Sequence, residues 1–421
     1  MRTMKDSGIE WIGEIPESWG TLFAFQCFAQ IKNKNIGMKE TNLLSLSYGK
    51  IKRKDIETTG GLLPENFEGY NIISCDDIVL RLTDLQNDQK SLRVGLSTET
   101  GIVTSAYLTL RNKSKSLPRY LYYYLHSFDI SKGFYGMGAG VRQGLNWEEL
   151  KHLQILFPSP AEQAHIVSHL DRQCTHIDNI IEKTKASIEE YKKLRQAVIT
   201  QAVTKGVRGE RAMKDTGFDW LLQIPDDWTM ERGKNLFFET NNRSDSGEEE
   251  LLTVSQYTGV TPRSQKNVNM FEAETLEGYK ICEIGDIAAN TMWLWAGAIG
   301  VSEYYGVISP SYNIYRQKKD AYNSKYLDYL LRIPPIVQLF ASLSTGIRAS
   351  RLRLYPEQFL NIYYPLPPLD EQAEIVAYLQ EKIVEVDKLI TKKEQFLTEL
   401  ESYKKSMIYE YVTGKKEVPQ A

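Results

Sequence analysis

Four cysteines, Cys27, Cys75, Cys174 and Cys282, are scattered along 421 residues without CxxC spacing, which excludes a zinc ribbon and a disulfide framework and leaves reduced, mostly buried thiols. Long apolar runs are also absent. No stretch approaches about eighteen uninterrupted apolar residues, and the opening MRTMKDSGIEWIGEIPESW lacks the apolar segment of a signal peptide, so a cytoplasmic chain without membrane spans is expected. There is no GxxxxGK[ST] phosphate loop, which argues against ATP hydrolysis by this chain. The dense glycine run from Gly133 to Gly144 lacks GxGxxG spacing, and no Asn-Pro-Pro-aromatic tetrad of an amino-methyltransferase occurs. All five histidines, His126, His152, His165, His169 and His176, lie in the first half. His165 and His169 are four apart, but the HExxH glutamate is missing, so no metal is expected. Charge of one sign is lacking too: a net charge of -3 gives no general basic footprint for nucleic acid.

What is present is an ordinary globular composition, 42% hydrophobic and 25% charged, in a chain long enough for two or more domains. Self-comparison is the most informative operation on it. MKDSGIEWIGEIPESW, from Met4 to Trp19, returns as MKDTGFDWLLQIPDDW, from Met213 to Trp228. The same offset of 209 residues carries Glu68-Gly69-Tyr70 to Glu277-Gly278-Tyr279, Asp77-Ile78 to Asp286-Ile287, and PSPAEQAHIV at Pro158 to PPLDEQAEIV at Pro367. Two copies of one unit fill the chain. Agreement fails in the middle of each copy, where LTDLQNDQKSLRVG (Leu82 to Gly95) faces the shorter TMWLWAGAIG (Thr291 to Gly300). A retained frame around a diverged segment suggests two modules doing one kind of task on different targets.

Each copy has a globular part followed by a long helix. The globular parts, 1–158 and 207–367, mix β-branched and aromatic runs with short helical pieces, which predicts small mixed α/β (α+β) domains. Helical spacers are expected at 159–206 and 368–421. In the first, Ser159 can cap, Pro160 suits the first helical position, and Glu162 falls where a capping box places its acid. Apolar residues then recur in steps of three and four through Leu170, Ile177, Ile181 and Ile188, and in the second copy through Leu379, Ile383, Val386, Ile390 and Leu397. That spacing is the seam of a coiled coil. Both seams are broken at matched polar positions, Thr184 with Lys393 and Arg195 with Lys404. Neither helix, about 44 residues and roughly 66 Å long, can bury such a stripe alone, so the two are expected to pair as an antiparallel coiled coil about a pseudo-twofold axis.

The repeated GxxWxxxIPxxW, at Gly8 to Trp19 and Gly217 to Trp228, and the repeated PxxxEQxxI, at Pro158 to Ile166 and Pro367 to Ile375, resemble the specificity subunits of type I restriction-modification systems. The order of domain, helix, domain, helix is also that family's. The resemblance implies two target-recognition domains, 1–158 and 207–367, each reading half of a bipartite asymmetric DNA site, with the helices as a ruler. It implies a subunit that is not itself catalytic. Its partners would be double-stranded DNA, two methyltransferase subunits that bind S-adenosylmethionine, and two motor-nuclease subunits that use ATP and Mg, with no cofactor on this chain.

Candidate DNA contacts follow from donor chemistry near the diverged and glycine-rich segments. In the first domain they are Tyr48, Lys50, Lys52, Arg53, Lys54, Arg81, Lys90, Arg93 and Arg142; in the second they are Tyr257, Arg263, Arg348, Arg351 and Arg353. Gln86, Asn87 and Gln89 add donors, whereas Trp293 and Trp295 read as core. The domains carry net charges of only +2 (1–158) and -3 (207–367), so DNA binding by the chain alone is expected to be weak. The alternatives are a coiled-coil protein-interaction scaffold and the recognition part of another type of restriction system.

Overall fold

A computed structural model describes residues 2–56, 66–85, 92–137, 144–266, 275–346 and 352–419. Lys90, Arg142, Arg348 and Arg351, with Gln86, Asn87 and Gln89, lie outside the described residues. The chain divides into two compact units. The first comprises Met1–Lys185 with Gln395–Ala421, and the second comprises Ala186–Glu394. The division falls within both long helices, because each globular part packs on helix segments from both copies.

Each unit holds a four-stranded antiparallel sheet of the same order. In the first it runs Phe28–Gln30, Leu108–Asn112, Ile78–Leu80 and Val94–Leu96. In the second it runs Phe237–Thr240, Asn313–Gln317, Ile287–Ala289 and Ile299–Val301. Ile78–Leu80 and Ile287–Ala289 are buried at every residue, which accounts for their unbroken apolar sequence. One invariant tie pins each sheet: Arg111 grips Asp77 at 2.7 Å, and Arg316 grips Asp286, the 209-shifted residue, at 2.7 Å.

The repeated opening motif is a hairpin, Met4–Asp6 with Glu14–Pro16 and Met213–Phe218 with Leu221–Pro225. Gly8 and Gly217 sit in its bend at φ 69° and 74°, a left-handed conformation that only glycine adopts freely. The closing tryptophan turns inward. Trp19 Nε1 donates to Glu162 at 2.9 Å and Trp228 Nε1 donates to Glu371 at 2.9 Å, while Arg2 and Arg211 pair with the same carboxylates. Ser159 does cap, its Oγ accepting from the Glu162 N–H at 3.3 Å, but the Glu162 carboxylate serves the tryptophan and Arg2 and does not close a capping box. The neighbouring Gln163 and Gln372, both fully buried, donate to Pro158 O and Pro367 O and accept from Leu117 N and Asn323 N. The Glu-Gln pair therefore joins each globular part to the start of its helix.

The long helices run over Pro160–Lys205 (46 residues) and Leu369–Val412 (44 residues). Within the first unit Leu170, Cys174, Ile177 and Ile181 share a core with Met407, Ile408 and Tyr411, and Leu397 packs against it half-buried. In the second unit Ile199, Ala202 and Val203 share a core with Leu379 and Ile383. Ile188 is buried, and Val386 and Ile390 are half-buried. Contacts run antiparallel: Asp178 meets Lys404 while His169, further back, meets Tyr411 further on. The matched polar positions are used symmetrically. Lys404 pairs with Asp178 at 2.6 Å and Arg195 with Asp387 at 3.0 Å, and both the cations and the acids are related by 209 residues. Among the described residues no helix is long and apolar enough to cross a membrane.

Candidate nucleic-acid interface

Beside each sheet stands a two-stranded hairpin. The first pairs Leu44–Ser47 with Lys50–Arg53, in the register Leu46 to Ile51 and Ser47 to Lys50. Alternation along a strand separates its two faces. Leu44 and Leu46 are buried and Ile51 is half-buried on the inner face, while Lys50 and Lys52 are exposed opposite Ser47 and Ser45. The sequence KIKRK thus becomes a cationic outer face, continued by exposed Lys54. Its two-residue turn has positive φ at both positions, Tyr48 at 47° and Gly49 at 75°, the geometry of a tight hairpin turn. An aromatic residue in that region is strained by about 1 kcal/mol or more. Tyr48 is nonetheless 74% exposed at the tip.

The second hairpin pairs Leu252–Ser255 with Gly259–Pro262. Leu252, Val254 and Val260 face inward, and Thr253 and Thr261 lie opposite each other, their hydroxyls 3.4 Å apart. Tyr257, the 209-shifted partner of Tyr48, stands 82% exposed at this tip. Here the strands carry no lysine. Arg263 follows half-buried, its N–H donating to Leu251 O at 2.8 Å. Equivalent frames therefore present unlike chemistry, one cationic and one neutral.

The remaining candidates are dispersed. Arg93 is fully buried and is corrected from DNA contact to scaffold. Its guanidinium donates to Arg81 O at 3.0 Å, Thr83 O at 2.9 Å and Tyr135 Oη at 3.1 Å, and its backbone N–H donates to Asp129 at 2.6 Å. A guanidinium so enclosed has no path to a base edge. Arg53 remains exposed but is engaged by Glu99 at 2.8 Å from Nε, which pulls that carboxyl below its usual range through the hydrogen bond and charge of the arginine. Arg81 is half-buried at the base of the diverged loop. Arg353 is also half-buried, donating to Leu352 O at 3.1 Å.

Trp293 requires the opposite correction, while Trp295 is half-buried. They stack at 5.7 Å and 27°, Trp295 Nε1 donates to Met292 O at 3.0 Å, and Trp293 is 53% exposed. Leu294 between them is buried in the core of the second unit. Tyr120, Tyr123 and Tyr124 are buried packing residues, as their helix suggests.

Among the described residues no group of three or more His, Cys, Asp or Glu side chains is placed to hold a metal. Burial dominates the titrating groups of the first unit. His126 is driven from 6.5 to about 4 by desolvation and by Lys404 and Lys405, and Asp129 is raised from 3.8 to about 6 by desolvation against its bond from Arg93 N–H.

Over 432 aligned residues, covering 96% of this chain and 95% of the other, the sequence is 25% identical to a Methanocaldococcus jannaschii protein named for the MjaX type I restriction enzyme specificity subunit. The chain is similar to type I specificity subunits from end to end. A second such subunit from that organism, MjaVIII, is 23% identical over 331 residues, covering 75% of this chain and 74% of its own. Among solved structures, a chain from work on complex assembly and conformational transition of the type I R-M system superposes with a TM-score of 0.69 at 16% identity. The superposition covers 96% of this chain and 99% of that one, and shows that the two chains share a fold. No protein-family model matches the sequence.

Proposed function

We propose that this chain is the DNA sequence-specificity subunit of a type I restriction-modification complex. The observation that carries the reading is the pairing of end-to-end similarity to specificity subunits with two equivalent hairpins of unlike outer faces. In this reading each globular part reads one half of a bipartite site. Lys50, Lys52 and Lys54 meet phosphates in the first half, which fixes position, while residues of the tips and diverged loops meet base edges. The long helices set the unread gap and dock two methyltransferase subunits. Large apolar side chains exposed along them suit such docking: Leu194, Val384 and Leu389 in the second unit, Phe396 and Tyr403 in the first.

Catalysis then belongs to the partners. S-adenosylmethionine sits in the methyltransferase subunits, and ATP and Mg in two motor-nuclease subunits, all in the cytoplasm. The test is to express the chain with its methyltransferase partner and map N6-methyladenine in the host DNA. Two short sequence blocks separated by a constant unread gap are expected; a single continuous motif overturns the proposal.

A further inference from the structure

The two copies hold their hairpins differently. Tyr120 donates its hydroxyl proton to Val412 O at 3.2 Å, and Tyr326 donates to Val203 O at 2.9 Å, two carbonyls related by the 209-residue offset. These bonds put the helices Pro118–Ile130 and Ser324–Leu331 in register, so that Arg332 stands where the first copy has His126. His126 Nδ1 is buried without a partner. Arg332 instead reaches beneath the second hairpin turn. Its Nη2 donates to Tyr257 O at 2.6 Å and Gln256 O at 3.4 Å, and its Nη1 meets Asp328 Oδ2 at 3.3 Å. Asp328 Oδ1 in turn accepts from Val301 N–H at 2.9 Å, anchoring the guanidinium to the sheet.

Two backbone N–H groups of that turn are held from its other side. Ser255 Oγ accepts from Tyr257 N–H at 3.1 Å and Thr258 N–H at 3.3 Å. Gly259 has φ +65°, and a Cβ there would lie 3.3 Å from Arg332 Nη1 and 3.5 Å from Asp328 Oδ1. With its backbone held from both sides, the turn exposes Gln256, Tyr257 and Thr258, and its one aromatic ring is that of Tyr257. Holding a reading group in place before binding removes an ordering cost from recognition. The first tip closes differently, through its own two-residue turn, with Arg53 and Glu99 bracing the strand.

We infer that Arg332 is a positioning residue for specificity, clamping the turn so that Tyr257 contributes to reading one half-site; this rests on the DNA-reading function proposed above. The test uses the full chain in complex with its methyltransferase partner. Methylation rates are compared on the mapped site, on DNA substituted in one half, and on DNA substituted in the other. Tyr257→Ala, at an exposed tip, is expected to lower discrimination at one half-site about tenfold and leave the other within about twofold. Arg332→Ala should relax the same half-site to a similar extent, and the double variant should be no worse than either single, because Arg332 acts through the tip. Arg332→Lys keeps a charge for Asp328 but cannot span both carbonyls, so it should relax that half-site even if Arg332→Ala fails to fold. Additive losses, an equal fall at both half-sites, or an inert Tyr257→Ala overturn the inference. A wild-type complex that methylates without sequence preference overturns the DNA-reading function beneath it, which separates the two failures.

Discussion

His126 and Asp129 lie on one helix, three residues apart, and their burial has opposite consequences for acid stability. The fold keeps His126 neutral down to about pH 4, whereas an unfolded chain protonates it near 6.5, so its contribution is lost as pH falls between those values. Asp129 holds its proton up to about pH 6 in the fold and only to 3.8 when unfolded, so its contribution is lost as pH rises through that window. Between pH 4 and 6 the two oppose each other. Asp129→Asn removes one side of the balance, and urea midpoints at pH 7.5 and 5 should show the variant losing about 1 kcal/mol more than wild type on acidification. An unchanged difference contradicts the assignment. Arg93 is the residue whose role changes most. Arg93→Ala leaves several buried carbonyls unpaired and should cost about 2–4 kcal/mol of stability, visible as a lowered urea midpoint. Trp293→Ala, at an exposed ring, should leave the midpoint within about 0.5 kcal/mol.

At the scale of elements, the long helices combine an apolar seam with two symmetry-related ion pairs, Asp178 with Lys404 and Arg195 with Asp387. Half-exposed pairs of this kind add little to stability, about 1 kcal/mol at most, but a like-charge mismatch disfavours the wrong alignment. Lys404→Asp should therefore destabilise the chain by about 1 kcal/mol, and Asp178→Lys with Lys404→Asp should recover most of the loss in urea denaturation. A double variant no better than the sum of the singles would show that the pair carries no coupling.

At the scale of the whole molecule, net charges of +2 and -3 on the two globular parts leave the chain without a strong electrostatic grip on DNA. Binding titrations against salt should give weak affinity for the chain alone and a steeper salt dependence once the methyltransferase subunits are added. Each long helix contributes to both units, which makes its length a candidate determinant of the unread gap. Inserting seven residues into both helices, after Lys185 and after Glu394, preserves the seam period and should lengthen the gap while sparing both half-sites. Altered half-sites in the methylation map would end the ruler idea.

The repeat, the long helices and their antiparallel pairing were legible in the chain itself, because a constant 209-residue offset and a three-four apolar step are local, periodic signals. The basic cluster at Lys50, Lys52, Arg53 and Lys54 was legible too, but its arrangement as one face of a hairpin came from the structure. The roles of single polar residues were not legible. Arg93 is interior because Arg81, Thr83, Asp84 and Tyr135 close around it, and Glu162 serves Trp19, 143 residues away. Arg332 finds the Tyr257 carbonyl across 75 residues at a position where the copies share no residue type. Composition and period say which faces must be covered; only the tertiary fold decides which distant carbonyl or carboxylate completes a buried cation, because an unpaired polar group in the interior costs more than any local preference can offset.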